Sequence, residues 1–158
     1  DRLDDLFVRL QHALAGRDVR IVVTADHGFT DADPSRCVDL PPDGEVARML
    51  AAPLFGERRL AFCKVREGAA GEFEAWATDA LAGKAVAVSG ECVLNSGLLG
   101  PGARNPRLRE RVGTHVLLME PGWTIVDHVE GETVHELIGV HGGLSADEML
   151  VPLIVART

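Results

Sequence analysis

The chain has 158 residues, of which 46% are hydrophobic, a composition typical of one folded domain rather than of a disordered protein. Its 16 basic and 24 acidic residues give a formal net charge of −8, which argues against nucleic-acid binding through phosphate contacts and against a polybasic membrane anchor. The three cysteines, Cys37, Cys63 and Cys92, are far apart and form no C-x-x-C pair, so they predict neither a disulfide framework nor a zinc finger.

The first elements predicted are an amphipathic helix and an apolar strand. In residues 1–15 apolar side chains recur at helical spacing, the first turn is acidic, and Gly16 follows as a stop. Residues 19–25 then have the pattern of a buried strand. A helix that leads into an apolar strand through a tight turn predicts half of a parallel α/β unit. Residues 29–44 are rich in Asp and Pro and predict a loop.

The rest of the chain predicts alternating short helices and strands. Ser145 and Glu148 have the S-x-x-E spacing of a capping box at the start of a helix. No signal peptide and no apolar run near the ~20 residues of a membrane helix are evident, so a cytoplasmic location is the default expectation. The predicted elements are a helix ended by Pro53, a strand over 59–65, a helix over 71–83, a strand over 85–90, a helix near 91–98, a basic helix within 99–113, strands over 114–120 and 123–129, and a last strand over 150–156.

Asp26 and His27 stand directly after the predicted strand, at the point where Gly28 releases the chain. Burying a charge is costly unless it is paired or bound to a metal. An ordinary turn is the alternative, because Asp and His tolerate turn conformations and Gly supplies positive φ. The position favours a function, since ligands of open α/β sheets lie beyond the carboxyl ends of the strands.

His141 lies in a second stretch in which a polar residue follows an apolar segment and precedes glycine. It follows a short apolar segment and precedes Gly142 and Gly143, which let the backbone approach a bound ion or phosphate closely. A single histidine before a glycine pair is more often structural than functional, so this stretch alone leaves both interpretations open.

Taken together, T-A-D-H-G at 24–28 and G-V-H-G-G-L-S-A-D-E-M-L-V-P-L-I at 139–154 resemble the C-terminal half of the alkaline phosphatase superfamily. The resemblance is to its nucleotide pyrophosphatase/phosphodiesterase-like branch. It implies an α/β fold, with an alkaline-phosphatase-like sheet and flanking helices. Residues 1–158 would be the C-terminal part of that single domain, without the N-terminal half.

The resemblance also implies two divalent metal ions, zinc or alternatively manganese. Asp26 and His27 would bind the ion that activates a Ser or Thr nucleophile, and His141 would bind the other ion. Carboxylate and imidazole groups suit Zn²⁺, and two ions roughly 4 Å apart can stabilise both the entering and the leaving oxygen. The family's covalent phospho-enzyme would form on that nucleophile.

Several residues that the resemblance implies are not in this chain: the nucleophile, a further Asp ligand and a D-x-x-x-H pair. No Asp is followed by His four residues later. We therefore expect no catalytic residue within residues 1–158, and no turnover by this chain alone. The function implied is a metal-dependent phosphoric ester hydrolase, closer to a phosphodiesterase than to a mutase because no inserted cap is evident.

Its substrate would be a small phosphate ester or a nucleotide-like molecule, with no nucleic acid or membrane as partner; the oligomeric state is not predicted. The alternative function is a non-catalytic α/β module that keeps the fold for binding or regulation. A Ser or Thr after an apolar strand and a D-x-x-x-H upstream of residue 1 would distinguish the enzyme from this module.

For the other polar residues, the sequence favours structural or surface roles over functional ones. His128 and His135 do not share a helix face with His141, so surface or hydrogen-bonding roles are expected. His12 and His115 are expected at the surface. The remaining expectations are a turn role for Asp31 and Asp33 rather than orientation of His27, a solvated helix face rather than a phosphate clamp for Arg104, Arg107, Arg109 and Arg111, and core positions for Cys63 and Cys92.

Overall fold

A computed structural model describes residues 2–158. Its helices are α1 (Arg2–Leu14), α2 (Glu45–Met49), α3 (Ala70–Ala80), α4 (Gly90–Ser96), α5 (Leu108–Val112) and α6 (Ala146–Met149), with a short 3-10 helix at Pro34–Arg36. Its strands are β1 (Arg20–Thr24), β2 (Thr30–Asp31), β3 (Cys37–Leu40), β4 (Phe55–Glu57), β5 (Leu60–Cys63), β6 (Ala85–Ser89), β7 (His115–Met119), β8 (Thr124–Asp127), β9 (Gly139–Val140) and β10 (Leu153–Arg157). No helix within residues 2–158 combines the length and the apolar character needed to cross a bilayer.

The centre of the molecule is a four-stranded antiparallel sheet with the strand order β4-β5-β7-β6. Strand β7 is buried along most of its length, and Val116 and Leu117 are fully buried. Helix α3 covers this sheet with Phe73, which is also fully buried, as is Cys63 on β5. A smaller cluster joins α4 and α5 to the sheet through Val93, Leu94, Val112 and Val116.

Strand β3 runs parallel to β8 and corrects one prediction. Residues 29–44 were expected to form a loop, yet Cys37–Leu40 pairs with Thr124–Asp127. The Pro and Asp residues that suggested a loop lie mainly in two turns: Asp33 caps the 3-10 helix before β3, and the Gly44 N–H donates to the Pro41 carbonyl after it. Leu40 is then buried in the main core, and this burial is the tertiary contact that stabilises the short strand.

Two antiparallel ladders bring the C-terminal segment back to the beginning of the chain. Strand β10 pairs with β1 over five residues, from Arg20 with Arg157 to Thr24 with Leu153. Strand β9 pairs with β2, with Thr30 opposite Val140. The prediction of a parallel α/β unit at β1 is therefore wrong for the pairing of this strand. Strand β1 pairs antiparallel with β10, because the last strand of the chain returns beside it in the opposite direction.

Strand β1 is also less buried than its apolar sequence predicts. Ile21 is its one buried residue, whereas Val22 is 54% exposed. Strand β10 has an exposed apolar run of Leu153, Ile154 and Val155, and α1 has no buried residue. Because successive residues of a strand point to opposite sides, Val22, Leu153 and Val155 share one side of this ladder. We call these three exposed apolar side chains the β1–β10 face.

The predicted helices are present with shifted ends. Helix α1 stops before Gly16, as expected, and α3 begins one residue before the predicted range of 71–83 and ends three residues before its end. Helix α2 ends at Met49, before Pro53, because the backbone of Leu50 is extended and forms an isolated β-bridge with Val65. Cys92 is exposed rather than in the core, since α4 turns Val93 and Leu94 inward.

Candidate metal-binding site

The β2–β9 ladder brings the two sequence motifs into contact. His27 lies three residues before β2, and His141 follows directly after β9. Their imidazole rings stack with centroids 3.7 Å apart and planes inclined by 11°. The Phe29 ring packs edge-on against both, with centroid distances of 4.9 Å to His27 and 5.4 Å to His141. The two histidines singled out more than a hundred residues apart are thus neighbours.

His27 has one nitrogen engaged by the backbone and one directed towards Asp26. Its Nδ1 lies 2.8 Å from the Gly28 carbonyl oxygen. Because a carbonyl can only accept, Nδ1 carries the proton of the neutral ring and Nε2 keeps its lone pair. Nε2 lies 3.7 Å from Asp26 Oδ2, and the Asp26 side chain is 90% exposed. A free Nε2 beside a free carboxylate oxygen is a pair of potential metal ligands.

The donor set fits divalent ions such as zinc, for which imidazole and carboxylate are common ligands. A backbone carbonyl that holds the other ring nitrogen is also the usual companion of a ligating histidine. Because the His27 and His141 rings are nearly parallel, their in-plane lone pairs lie in separate planes and cannot both be aimed at one ion. This arrangement favours a separate ion for each ring. Residues 2–158 contain no group of three or more His, Cys, Asp or Glu side chains placed to hold a single ion.

Gly28 is required by a close backbone approach. Its N–H donates to the Glu148 carbonyl at 2.8 Å, and a Cβ at this position would lie 1.9 Å from the Asp147 carbonyl oxygen. Gly28 does not adopt the positive φ of an ordinary glycine turn. The contact instead joins the turn after His27 to helix α6.

The segment after His141 is organised by Glu148. The Gly143 N–H donates to Glu148 Oε1 at 2.8 Å, and the Ser145 hydroxyl donates to Oε2 at 2.6 Å. The predicted capping box is therefore wrong, because the Ser145 hydroxyl donates to the Glu148 carboxylate instead of accepting from its backbone N–H. The cause is Arg59, which binds the same carboxylate with distances of 3.0 Å from Nε and 2.9 Å from Nη2.

The ionisation of Glu148 follows from these contacts. Burial by itself raises the pKa of this carboxyl. Hydrogen bonds from Arg59, Ser145 and the Gly143 N–H, with the Arg59 charge, outweigh burial and lower the pKa to about 2. Arg59 was missed by sequence reasoning because its partner is 89 residues away, and no local pattern distinguishes it from a surface arginine.

The other histidines have hydrogen-bonding partners of their own. His128 Nε2 contacts Asp39 Oδ1, and the backbone carbonyl of His135 accepts from Arg58. His115 was expected at the surface, but it is 6% exposed and its Nε2 lies 3.2 Å from Glu74 Oε1. The register of β7 between β5 and β6 places this first strand residue inside the sheet.

Among the remaining candidates, Asp33 has a turn role and Arg107 and Arg109 form exposed ion pairs, rather than functional roles. Asp33 accepts from the Ser35 hydroxyl and N–H, hydrogen bonds that lower the pKa of this carboxyl. Arg107 and Glu110 form an exposed pair within one helix turn. Arg109 pairs with Glu91 on α4.

Comparisons with known proteins define the family. The family model described as type I phosphodiesterase / nucleotide pyrophosphatase matches residues 1–144. Among curated proteins, no sequence matches the chain.

Solved structures with the same fold include human ectonucleotide pyrophosphatase/phosphodiesterase 5, with a TM-score of 0.69 and 19% identity over 97% of this chain. The murine enzyme, of which an inactive threonine-to-alanine variant was solved with AMP, has a TM-score of 0.62 and 24% identity over 96% of this chain. Phosphonoacetate hydrolase from Sinorhizobium meliloti 1021, solved with phosphonoacetate and with phosphonoformate, has a TM-score of 0.67 and 21% identity over 96%. The chain spans 37% of each ectonucleotide pyrophosphatase/phosphodiesterase 5 and 39% of phosphonoacetate hydrolase.

The fold defines the class: an α/β protein that shares the fold of ectonucleotide pyrophosphatase/phosphodiesterase 5 and phosphonoacetate hydrolase over part of their length. Within that class, the chain belongs to the type I phosphodiesterase / nucleotide pyrophosphatase family. The predicted family and fold class are confirmed.

Proposed function

We propose that residues 1–158 are the C-terminal part of a metal-dependent phosphoric ester hydrolase of the phosphodiesterase or phosphatase type. The observation that carries the proposal is the stacking of His27 on His141 in a chain of the type I phosphodiesterase family. This chain alone is expected to be inactive.

Asp26 and His27 would hold one divalent ion and His141 the other, with zinc or manganese as the metal. When bound, the ions would polarise the phosphoryl group and lower the pKa of the hydroxyl nucleophile. The Gly28 carbonyl would keep the proton on His27 Nδ1, so that Nε2 remains available. The nucleophile, a Ser or Thr, would lie outside residues 1–158.

The relatives support a small phosphorus-containing anion as substrate. Murine ectonucleotide pyrophosphatase/phosphodiesterase 5 was solved with AMP, and phosphonoacetate hydrolase with phosphonoacetate. We extend this to a phosphate ester or nucleotide-like substrate here. The inactive threonine-to-alanine variant of the murine enzyme supports a hydroxyl nucleophile.

The β1–β10 face supports the assignment of this chain to part of a larger domain. Val22, Leu153 and Val155 are each more than half exposed, and they lie on the same side of two paired strands. A contiguous apolar patch on a folded protein marks a surface that something covers. We propose that the remainder of the domain covers it, since the solved relatives are much longer than this chain.

The test uses the natural polypeptide that contains this chain, assayed with zinc on bis(4-nitrophenyl) phosphate and 4-nitrophenyl phosphate. His27→Gln and His141→Gln should each lower kcat/KM by more than about 100-fold, because replacing even the outer partners of a metal ligand costs roughly 10–100-fold. His12→Gln, on the exposed side of α1, is the control and should have no effect. Wild-type activity in both ligand variants would refute the assignment.

The rival is a non-catalytic binding or regulatory module. In its favour, residues 2–158 provide no three-ligand metal cluster. It predicts that the natural polypeptide binds AMP without zinc-dependent hydrolysis of either nitrophenyl substrate. The same assay, with AMP binding measured in parallel, separates the two functions.

A further inference from the structure

The most enclosed polar group among the described residues is the ion pair of Arg59 and Glu148, in which each side chain is 1% exposed. Besides its two contacts with Glu148, Arg59 donates from Nη1 to the carbonyls of Glu120 and Trp123. These carbonyls lie in the turn between β7 and β8, so the pair is attached to the central sheet. The carboxylate and guanidinium have hydrogen-bond partners on all sides, as a buried charge pair requires.

Glu148 connects this sheet to both halves of the candidate metal site. Its carboxylate accepts from the N–H of Gly143, two residues after His141. Its backbone carbonyl accepts from the N–H of Gly28, the residue after His27. One residue thus fixes the two segments that carry the stacked rings, through two different groups.

The space around Glu148 shows how closely the segments are held. A Cβ on Gly143 would lie 2.7 Å from both carboxylate oxygens and 3.0 Å from Arg59 Nη2. A Cβ on Gly28 would meet the Asp147 carbonyl, next to Glu148. Each motif therefore has glycine at the point where it packs against this acidic residue.

Stability alone does not account for a buried ion pair. Apolar residues of similar size often give equal or greater stability, because taking two charges out of water is costly. What apolar residues cannot supply is an acceptor for the Gly143 N–H and the Ser145 hydroxyl. The ion pair therefore contributes a defined position for the loop after His141.

We propose that Arg59 and Glu148 are positioning residues that set the placement of His141 relative to His27. The inference rests on the proposed function only where it concerns metal binding; the placement itself is a property of this chain. Arg59 holds the carboxylate against the β7–β8 turn, and the carboxylate holds the loop that begins at His141. The Glu148 backbone carbonyl adds the link to the His27 turn.

The experiment measures the nuclear Overhauser effect between the His27 and His141 ring protons in the 158-residue chain, with signals assigned by His27→Gln and His141→Gln. Wild type should show this signal, and Glu148→Gln should lose it. In the double variant Arg59→Met with Glu148→Met, no buried charge is left unpaired, so its melting temperature should exceed that of Arg59→Met alone. The double variant should still lose the ring-to-ring signal.

A matched control is Glu91→Gln, which removes the carboxylate partner of Arg109 at the surface and should leave the ring signal intact. A folded double variant that keeps the signal would overturn the inference.

Amide hydrogen exchange of the wild-type chain provides a second test that needs no variant. Gly28 and Gly143 should be protected together, and free exchange at Gly143 beside an intact ring signal would also overturn it.

Zinc titration of the natural polypeptide that contains this chain addresses the metal function separately. There Glu148→Gln should bind zinc roughly 10-fold more weakly than wild type, the lower end of the cost of losing a direct partner of a metal ligand, because Glu148 holds the loop after His141 rather than the ring itself. A wild-type polypeptide that binds no zinc would count against the proposed function alone, since the ring-to-ring signal tests the placement without metal.

Discussion

Gly28 and Cys63 show how single residues are constrained by distant parts of the chain. At Gly28 the constraint is a carbonyl from α6, and at Cys63 it is full burial in the central sheet. Neither constraint involves a neighbour in sequence. Both can be measured by one substitution or one chemical probe.

Replacing Gly28 with Ala should destabilise the chain by about 3 kcal/mol, because the new methyl would lie 1.9 Å from backbone that cannot move independently. Urea unfolding measures the change. Gly71→Ala is the matched control, since no atom lies within 4 Å of the added Cβ and the site is in helix α3. The control should stay within about 1 kcal/mol of wild type, on the stabilising side. Equal effects of the two substitutions would contradict the close approach at Gly28.

The cysteines should react at very different rates. Burial, followed by the nearby Asp127 charge, raises the pKa of the Cys63 thiol to about 12, so little reactive thiolate forms at neutral pH. Cys92 is exposed on α4. Labelling with iodoacetamide, followed by mass spectrometry, should modify Cys92 in the folded chain and Cys63 only after unfolding. Rapid labelling of Cys63 in the folded protein would show that the central core is open.

Glu148 should give stability a distinct dependence on pH. Its pKa is lowered from an ordinary value of 4.5 to about 2, so the charged form stabilises the folded state. This contribution is present above about pH 4.5 and is lost as the pH falls towards 2. Urea unfolding across this range should show the loss in wild type. Glu148→Gln should be less stable at pH 7 and should lack that part of the slope.

At the scale of elements, the shortest ladder determines the site. Strands β2 and β9 contribute only two residues each, yet their pairing places His141 beside His27. The longer β1–β10 ladder holds the flanking segments, and Glu148 links the loops between them. Short strands of this kind depend on tertiary contacts rather than on strand propensity, so no local sequence pattern indicates them.

The β1–β10 face yields a prediction at this scale. Val22→Thr and Val155→Thr should each change the stability of the 158-residue chain by no more than about 0.5 kcal/mol, because both side chains are more than half exposed. The same substitution at the fully buried Val116 is the matched control and should cost roughly 1–3 kcal/mol. In the natural polypeptide, Val22→Thr should cost more than in this chain if the rest of the domain covers the face. An unchanged cost would argue that the face stays open.

At the scale of the whole molecule, the chain has a well-packed centre and an open periphery that carries the site. The core joins α2, α3 and the central sheet, whereas Asp26 and the β1–β10 face are exposed. Solved structures that share this fold are more than twice as long as this chain. The proposed site would then be completed by residues outside this chain.

Zinc binding by the 158-residue chain should accordingly be weak. Asp26 and His27 offer two ligands to one ion and His141 one ligand to the other, fewer than the four of a stable zinc site. Isothermal titration calorimetry should detect low affinity at most, and His27→Gln should reduce it further. Tight binding of two equivalents would show that the chain already holds complete sites.

The sequence by itself determined the family, the α/β class, most of the helices, the central strands β5, β6 and β7, and the two motifs; it did not indicate β4. These depend on local periodicity and on residue types in order along the chain, which a sequence displays directly. Tertiary structure alone decided that β1 runs antiparallel to β10, that His115 is buried, and that Arg59 binds Glu148. Each of these joins residues far apart in the chain, and its free energy comes from burial and pairing that exist only once the fold has brought them together.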